Sequence, residues 1–401
     1  MNKKILFIST HNLASNPRLV KEIELALHNG LEASVLCCEF DNWSKELNEQ
    51  IKGRLLPQIK YYPVEGNRNP FIPWAVSSVF HFSAKKLLLL FPTNTFLLSL
   101  RSNKRSWLLL KQLKGIKETI NLVVAHNPGA FYPAIVFAKK NKISFGIDLE
   151  DYHPGESNDV KTSTQYKTLQ NKILSEAQYV SAASPLILEY AQRDCKKEFR
   201  NKTVVLNYFP AHEFIRPASK EGEKLKLVWF SQLISFNRGL EQVVPLIKDN
   251  TILELHLFGN CDEAFKTKYL AGIGNVFIHS PLPQQMLHQR LSSFDVGLAI
   301  EPGKDLNNEL AISNKMLAYF QAGLYILASD TKAQKQFIEM HPGSGRITTL
   351  DKKGFAADVN ELVQQKKSIR EKAAARFERA NDFCWEEESK KLMNSWNEII
   401  H

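Results

Sequence analysis

Short apolar runs alternate with segments whose apolar residues recur every three or four positions, and this alternation continues along most of the 401 residues. At the start of the chain, KKILFIST precedes PRLVKEIELALHNG, which precedes EASVLCCEF. Val20, Ile23 and Leu27 fall on one face of a helix, and Asn29-Gly30 is a good helix stop. Strand, helix and strand in this order predict a right-handed crossover and a parallel sheet.

The pattern breaks once, at residues 210–224, where two prolines, a glycine and a run of charges predict a linker. It resumes with the apolar runs KLVWFS, ILELHLFG and DVGLAIEP. We therefore predict an α/β protein with two doubly wound, Rossmann-like domains that face a cleft. The first domain covers 1–209, completed by a C-terminal helix from about 380–401 that crosses back to it, and the second covers 225–379.

The net charge of +10 favours anionic partners such as phosphorylated small molecules or an acidic membrane surface. The chain has no zinc-finger spacing, RNA-binding aromatic pattern or dense basic tail, so we do not expect it to bind nucleic acid. Its five cysteines include no C-x-x-C pair, which favours reduced thiols over a disulfide framework or a zinc site.

The first residues, MNKKILFIST, predict a core strand rather than the apolar region of a signal peptide. The longest apolar stretch, 87–100, is too short and too interrupted to span a bilayer. We expect a cytoplasmic protein.

Three strand ends of the second half place cations or free backbone N–H groups at the predicted cleft. Arg238 and Gly239 follow SQLISFN and open a helix, and Gly259 follows the strand LELHLF. Ser313, Asn314 and Lys315 open the helix of SNKMLAYFQAG. The N-terminus of a helix attracts phosphate, and no D-x-D pair is present to hold a metal, so we predict a metal-free diphosphate site.

Several segments, in this order and spacing, resemble the GT-B glycosyltransferases of family 4. They are SNPRLVKEIELALHNGLEASVL, VVAHNPGAFYPA, IDLEDYHPGE, FSQLISFNRGLEQVV, SNKMLAYFQAGLYILAS and FCWEEESKKLMNSWNEI. The resemblance covers nearly the whole chain. It implies a retaining transferase that uses a nucleotide sugar as co-substrate and no metal cofactor. The acceptor would be a saccharide or a lipid-linked sugar in surface polysaccharide or glycolipid assembly.

The resemblance places Arg238 and Lys315 at the donor's diphosphate. Three positions depart from the family pattern: Glu150 stands for a histidine, Gln232 for an arginine and Ala318 for the glutamate that holds the ribose. Glu309, a short distance before Ala318, is our candidate for the missing carboxylate. We therefore also consider a non-catalytic module that binds a sugar nucleotide or a partner enzyme, and a sugar-nucleotide epimerase.

Candidate catalytic and acceptor residues lie in the first half. Glu150 and Asp151 follow the strand FGIDL. They either cap the next turn, or one of them accepts a proton from the acceptor hydroxyl or hydrogen-bonds the sugar. The acceptor candidates are His153, His126, Asn16 and Arg18. The alternatives are that His153 is a surface histidine and that His126 is a core histidine. Asn16 would instead cap a helix, and Arg18 would face solvent.

Residues 71–114 combine apolar runs with flanking Lys and Arg. They indicate either core helices of the first domain with solvated lysines at their ends, or an element that contacts the inner face of the membrane.

Overall fold

The computed structural model describes residues 3–42, 44–248 and 250–400. Its contacts divide the chain into two compact units. One unit runs up to Leu206 and includes the chain from Ser389 onward, and the other is Asn207–Glu388.

The first unit is built on a fully parallel sheet. Its strands are β1 (Lys4–Ser9), β2 (Glu32–Glu39), β3 (Lys60–Glu65), β4 (Leu122–His126), β5 (Ser144–Leu149), β6 (Tyr179–Ala182) and β7 (Lys202–Val204). Its helices are α1 (Pro17–His28), α2 (Lys45–Leu55), α3 (Phe71–Leu87), α4 (Thr95–Ser102), α5 (Ser106–Leu113), α6 (Pro128–Asn141), α7 (Val160–Leu174) and α8 (Pro185–Cys195). The strand order is β3-β2-β1-β4-β5-β6-β7, so the direction of winding reverses between β1 and β4, where such sheets bind ligands.

The N-terminal half of this sheet forms where the apolar pattern predicts it. Pro17 is the first residue of α1, and the Asn16 side chain caps this helix by accepting a hydrogen bond from Leu19 N at 3.0 Å. All five residues of β4 are buried, as expected for a central strand of a parallel sheet.

The second unit repeats this architecture. Its strands are β8 (Leu225–Ile234), β9 (Leu253–Cys261), β10 (Val276–His279), β11 (Val296–Ala299), β12 (Tyr325–Ser329) and β13 (Gly345–Thr348). Its helices are α9 (Leu240–Ile247), α10 (Glu263–Phe265), α11 (Gln284–Leu291), α12 (Leu306–Leu310), α13 (Asn314–Gln321), α14 (Lys332–Met340), α15 (Lys352–Gln364), α16 (Lys366–Glu371) and α17 (Ala373–Ala380). The parallel order β10-β9-β8-β11-β12-β13 reverses between β8 and β11. The predicted fold class is therefore confirmed.

The last helix, α18 (Trp385–Ile399), carries the chain back to the first unit, as predicted. Trp396 is fully buried there, and its indole N–H donates to the Tyr179 hydroxyl at 2.9 Å. Its ring also meets Phe7 edge-on, with ring centroids 6.0 Å apart. A buried tryptophan with its N–H satisfied is a strong anchor for a terminal helix.

Two predicted loops are strand instead. Ser231, Gln232, Leu233 and Ile234 were expected in a loop before Arg238, but they belong to β8. Gly259 was expected after a strand, but it lies inside β9. The two strands continue to pair past a register shift between Phe230 and Leu233, which lets the ladder extend beyond the apolar run that marks the strand in the sequence.

The cysteines and helices of the described residues bear on the expectations about disulfides and membrane spans. All five cysteines are free thiols, as predicted. Within the described residues, no helix combines the length and the apolar character needed to cross a membrane.

Candidate functional site

A pocket of about 140 Å³ lies in the first unit at the carboxyl ends of β1, β4 and β5. This is the edge beside the reversal of strand order. Residues that follow these strands line it, among them His11, Asn127, Glu150 and Asp151. The other lining residues are Thr10, Ser102, Asn103, Pro128, Gly129, His153, Glu156 and Tyr166. We refer to it as the first-unit pocket.

Glu150 and Asp151 follow β5 and are both half-buried in this pocket. Burial, followed by the neighbouring Asp151 carboxylate, raises the pKa of Glu150 to about 7. A carboxyl group with its pKa near neutrality exchanges a proton readily at physiological pH, which is the property of a general acid or base.

His153 is buried and forms part of the pocket wall. Its Nδ1 lies 3.0 Å from Glu156 Oε1, whereas its buried Nε2 has no hydrogen-bond partner in the structure. Burial lowers the pKa of His153, but the Glu156 carboxylate outweighs burial, so the pKa lies above its ordinary value. The hydrogen-bonding capacity of this ring nitrogen is therefore not used within the described residues.

A buried charge cluster lies beneath the pocket, formed by Arg18, Glu22, His126 and Asp148, all of them fully buried. Arg18 Nε donates to Asp148 Oδ2 at 2.7 Å and Arg18 Nη2 to Asp148 Oδ1 at 2.8 Å, a bidentate pair. Arg18 also donates to the Val205 carbonyl at 2.6 Å, and the Ser181 hydroxyl donates to Asp148 at 2.5 Å.

His126 completes the buried charge cluster. Its Nε2 lies 3.2 Å from Glu22 Oε2, and its Nδ1 lies 3.6 Å from Asp148 Oδ2. Burial lowers the pKa of His126, but the Glu22 and Asp148 carboxylates outweigh burial and raise it. Burial raises the pKa of Asp148, but Arg18 and His126 outweigh burial and lower it. Arg18 and His126 thus hold Asp148 ionised, whereas burial outweighs the nearby cations at Glu22 and raises the pKa of that carboxyl.

Three of the predicted acceptor residues therefore have internal partners. Asn16 caps α1, and Arg18 and His126 belong to the buried charge cluster rather than to the pocket wall. Glu22, His126 and Asp148 place possible metal-ligand atoms within 4.8 Å of one another, but the guanidinium of Arg18 already supplies the positive charge there. Of the four acceptor candidates, only His153 lines the pocket.

In the second unit, the predicted donor residues gather at the carboxyl ends of β8, β9 and β11, which are neighbours in the sheet. Gly239 caps α9 with a φ of +84°, and a Cβ there would lie 2.4 Å from Ile300 Cγ2. Only glycine therefore lets the start of α9 lie against the end of β11. Gly259, inside β9, has a φ of +145°, and a Cβ there would lie 2.1 Å from the Ser231 carbonyl oxygen. Arg238 is exposed just before α9.

Lys315 lies at the start of α13, where the Ser313 hydroxyl caps the helix by accepting from Met316 N at 3.3 Å. Its ammonium group forms an ion pair with Glu301, with Lys315 Nζ 2.7 Å from Oε1, and lies 5.7 Å from the centre of the Trp229 ring. Asn314, the first residue of the helix, is exposed. The predicted cation is thus present, but a carboxylate already contacts it.

A hydrogen-bonded chain fixes the start of α13 to the ends of β11 and β12. The Ser313 hydroxyl lies 3.4 Å from Gln334 Oε1, and Gln334 Nε2 donates to the Ser329 hydroxyl at 2.9 Å. Glu301 N in turn donates to the same Ser329 oxygen at 2.8 Å. The two partners of the Lys315–Glu301 ion pair are therefore held by one network.

Gln232, Ala318 and Glu309 are the second-unit residues that bear on the differences from the family 4 pattern. Gln232 is exposed on β8, and Ala318 is fully buried in α13. Glu309 Oε2 accepts a hydrogen bond from Lys332 N at 3.3 Å, at the start of α14. A ribose-binding role for Glu309 stays a prediction.

Sequence reasoning missed several residues of both sites. Thr10, His11 and Asn127 directly follow β1 or β4, and Glu301 follows β11 within two residues, so the rule that pointed to Glu150 could also have found them. Asn103 and Tyr166 come from helical segments of the first unit and carried no comparable signal. Asn103 Nδ2 reaches Thr10 Oγ1 at 3.2 Å, a contact that only the folded chain creates.

Solved structures of several proteins match nearly the whole chain, and three of them illustrate the similarity. Anabaena HepE in complex with UDP matches with a TM-score of 0.67 at 13% identity, over 99% of this chain and 100% of that chain. Sucrose-phosphate synthase from Thermosynechococcus elongatus matches with a TM-score of 0.69 at 12% identity, over 99% of each chain. A TarM variant from S. aureus, in complex with fondaparinux, α-GlcNAc-glycerol and UDP, matches with a TM-score of 0.67 at 12% identity, over 98% of this chain and 100% of that chain.

These matches show the fold of the chain, which is GT-B. No protein-family model and no curated protein match the sequence.

Proposed function

We propose that this protein is a retaining glycosyltransferase. It moves a sugar from a nucleotide-sugar donor to a saccharide or lipid-linked acceptor, in the assembly of a surface polysaccharide or glycolipid. The second unit binds the donor without a metal, and the first unit binds the acceptor. The solved HepE and TarM structures hold UDP, which makes a uridine nucleotide the first donor to test.

The observation that carries the proposal is the convergence of Lys315, Gly239 and the capped start of α13 at one edge of the second sheet. A helix start offers unpaired N–H groups and the positive end of the helix dipole, and Lys315 adds a full charge. Exposed Arg238 lies before α9, where a cation is unfavourable for the dipole unless an anion binds there. Together these groups suit a diphosphate.

The diphosphate would take over Lys315 from Glu301. As the bond between the sugar and the phosphate breaks, negative charge grows on the leaving nucleoside diphosphate. Cations and dipoles that are already in position stabilise that charge and lower the barrier. The hydrogen-bonded chain through Ser329 and Gln334 keeps Lys315 and its helix start fixed for this purpose.

The first-unit pocket supplies the groups for the acceptor. The acceptor hydroxyl forms the new bond to the sugar and loses its proton, which Glu150 accepts. A pKa of about 7 leaves a large fraction of Glu150 ionised at neutral pH and still basic enough to take a proton. Asp151 keeps that pKa raised, and His153 Nε2 orients the acceptor through a hydrogen bond.

The second candidate function is a GT-B module that binds a sugar nucleotide without transferring the sugar. Buried Ala318 favours it, because the position offers no carboxylate to the ribose.

The test is to incubate the purified full chain with UDP-, GDP- and dTDP-sugars and measure release of the nucleoside diphosphate, with and without extracted glycolipid acceptors. We expect release with at least one donor, and loss of release in the Glu150→Gln variant, which still binds the nucleotide. Nucleotide binding by calorimetry without any release would favour the non-catalytic module. Neither binding nor release with any donor would reject both functions.

A further inference from the structure

The exterior of the first unit carries an unusual apolar surface on α3 and the turn after it. Ile72, Val79 and Phe82 of α3, with Leu89, Leu90 and Phe91 of the turn, have exposed fractions between 57% and 75%. We call these six residues the α3 surface. Large apolar patches are rare on soluble proteins and mark sites of contact with another surface.

The polarity of α3 is inverted relative to a helix that faces water. Its two buried residues are Ser77 and Ala84, whereas its bulky apolar residues point outward. Ile72, Val79 and Phe82 are seven and three residues apart, so they share one side of the helix. The three α3 residues of the α3 surface therefore form an apolar stripe along one side of the helix rather than a scatter of single exposed residues.

The charge around the α3 surface has one sign. Between Gly66 and Lys117 the sequence contains nine Lys and Arg residues and no Asp or Glu, so this stretch accounts for nearly all of the net charge of +10. Lys85 and Lys86 are exposed on the last turn of α3 itself. Arg68 and Lys104 lie 5.3 and 5.2 Å from the centre of the Trp74 ring, so cations also border the start of the helix.

This combination selects among the possible occupants. A second copy of the chain would bring the same cations face to face, which disfavours self-association at low salt. An anionic lipid bilayer complements both features, because its acyl region takes up the apolar side chains and its headgroups pair with Lys and Arg. The helix would lie along the membrane surface, since none of the described helices can span a bilayer.

We propose that the α3 surface docks the protein onto membranes that contain anionic lipids. This inference does not depend on the proposed glycosyl transfer, because the surface contains none of the residues assigned to donor or acceptor.

The test is co-sedimentation of the full chain with vesicles of phosphatidylcholine alone and of phosphatidylcholine with phosphatidylglycerol. We expect binding to the vesicles with phosphatidylglycerol, weakening as salt is added, and little binding to phosphatidylcholine alone. Equal binding to both vesicles, or binding to neither, would overturn the proposal.

Two variants with matched controls locate the contact. Val79→Glu with Phe82→Glu should lower vesicle binding about tenfold or more, while Val160→Glu, at a residue of the same unit that is 79% exposed, should leave it unchanged. Lys85→Gln with Lys86→Gln should lower it about tenfold, and Lys139→Gln with Lys140→Gln, an exposed pair on α6, should have little effect. The melting temperature of each variant shows that it folds.

A control variant that lost binding as strongly as its partner would place the contact elsewhere and overturn the proposal. Sedimentation velocity without lipid provides the last outcome. A concentration-dependent dimer that is lost in the variant with Val79→Glu and Phe82→Glu, together with no vesicle binding, would show that a second copy covers the surface.

Discussion

The carboxyl edges of the two sheets differ in how deeply their charged side chains are buried. Beneath the edge of the first sheet, Arg18 and Asp148 are fully buried, and they pair with one another and lie beside Glu22 and His126. At the edge of the second sheet, Lys315 and Glu301 keep 15% and 23% of their side chains exposed. The same architecture thus supports a sealed electrostatic network in one unit and an open ion pair in the other.

The buried charge cluster and the Lys315–Glu301 ion pair are suited to different tasks. Buried charges are strongly coupled, because little water screens them, so they fix the backbone around β5. Nearby Glu150 has a raised pKa for a different reason, namely its own burial and then the neighbouring Asp151 carboxylate. Because Lys315 and Glu301 are still partly exposed, their ion pair is weaker than a fully buried one, so an incoming anion can replace the carboxylate at smaller cost. The first edge is therefore rigid and tuned, whereas the second is exchangeable.

Removing Arg18 from the buried charge cluster should cause the greatest loss of stability. Arg18→Met leaves Asp148 buried without its bidentate partner, so we expect the free energy of unfolding to fall by about 3–5 kcal/mol. Urea denaturation followed by circular dichroism measures this loss.

The matched control is Lys315→Met, which opens the pair in the second unit. It should change the free energy of unfolding by no more than about 1 kcal/mol. Similar losses from both substitutions would mean that the two edges do not differ as described.

The next effect concerns the chemistry of the first-unit pocket. Glu150→Gln removes the proposed proton acceptor while keeping the size of the side chain, so we expect kcat to fall about 100-fold or more. Nucleotide affinity should stay the same, since Glu150 belongs to the first unit and the donor groups to the second. An unchanged kcat would remove Glu150 from the mechanism.

The third expected effect tests whether an anion can replace Glu301 as the partner of Lys315. Lys315→Ala should weaken UDP binding by about 1.5–3 kcal/mol, because a charge-assisted contact is lost. Glu301→Gln should instead tighten binding by a few fold, since Lys315 no longer has to leave a carboxylate.

Isothermal titration with UDP measures both variants, and Glu361→Gln, on the surface of α15, serves as a charge-matched control. Weaker binding in Glu301→Gln would show that Glu301 positions Lys315 rather than competing for it.

The smallest effect is a dependence on pH. Because the pKa of Glu150 is raised to about 7, we expect the rate to rise as pH increases through 7 and then to level off. Between its ordinary value and 7, the folded state binds this proton more tightly than the unfolded state, so the stability contributed by Glu150 falls as pH rises. Profiles of rate and melting temperature should lose both features in Glu150→Gln, and profiles unchanged by the substitution would assign them to another group.

The sequence predicted what depends on local periodicity. Alternating apolar runs located both sheets, and the rule about strand ends led to Glu150, Asp151 and Lys315, which do lie at strand ends or at the helix start beyond them. It could not predict the partners of these residues. Arg18 and Asp148 are 130 positions apart, so nothing in the local pattern shows that a solvent-facing arginine was the wrong alternative.

The limits at the second edge have a similar cause. Ser231 to Ile234 carry a mixed polar pattern typical of a loop, and only pairing with β9 makes them strand. Glu301 was missed because a single glutamate after a strand can have many ordinary structural roles. Its contact with Lys315 depends on how the loop through α12 folds back.

The buried charge cluster also limits how this sequence can drift. Its members come from three distant stretches of the chain and pair with one another, so replacing Arg18 or Asp148 alone leaves a buried charge without its partner. Joint replacement by apolar side chains of similar volume strands none. Substitutions at positions 18, 22, 126 and 148 should therefore be inherited as a set, and descendants of this chain should keep all four groups or lose them together.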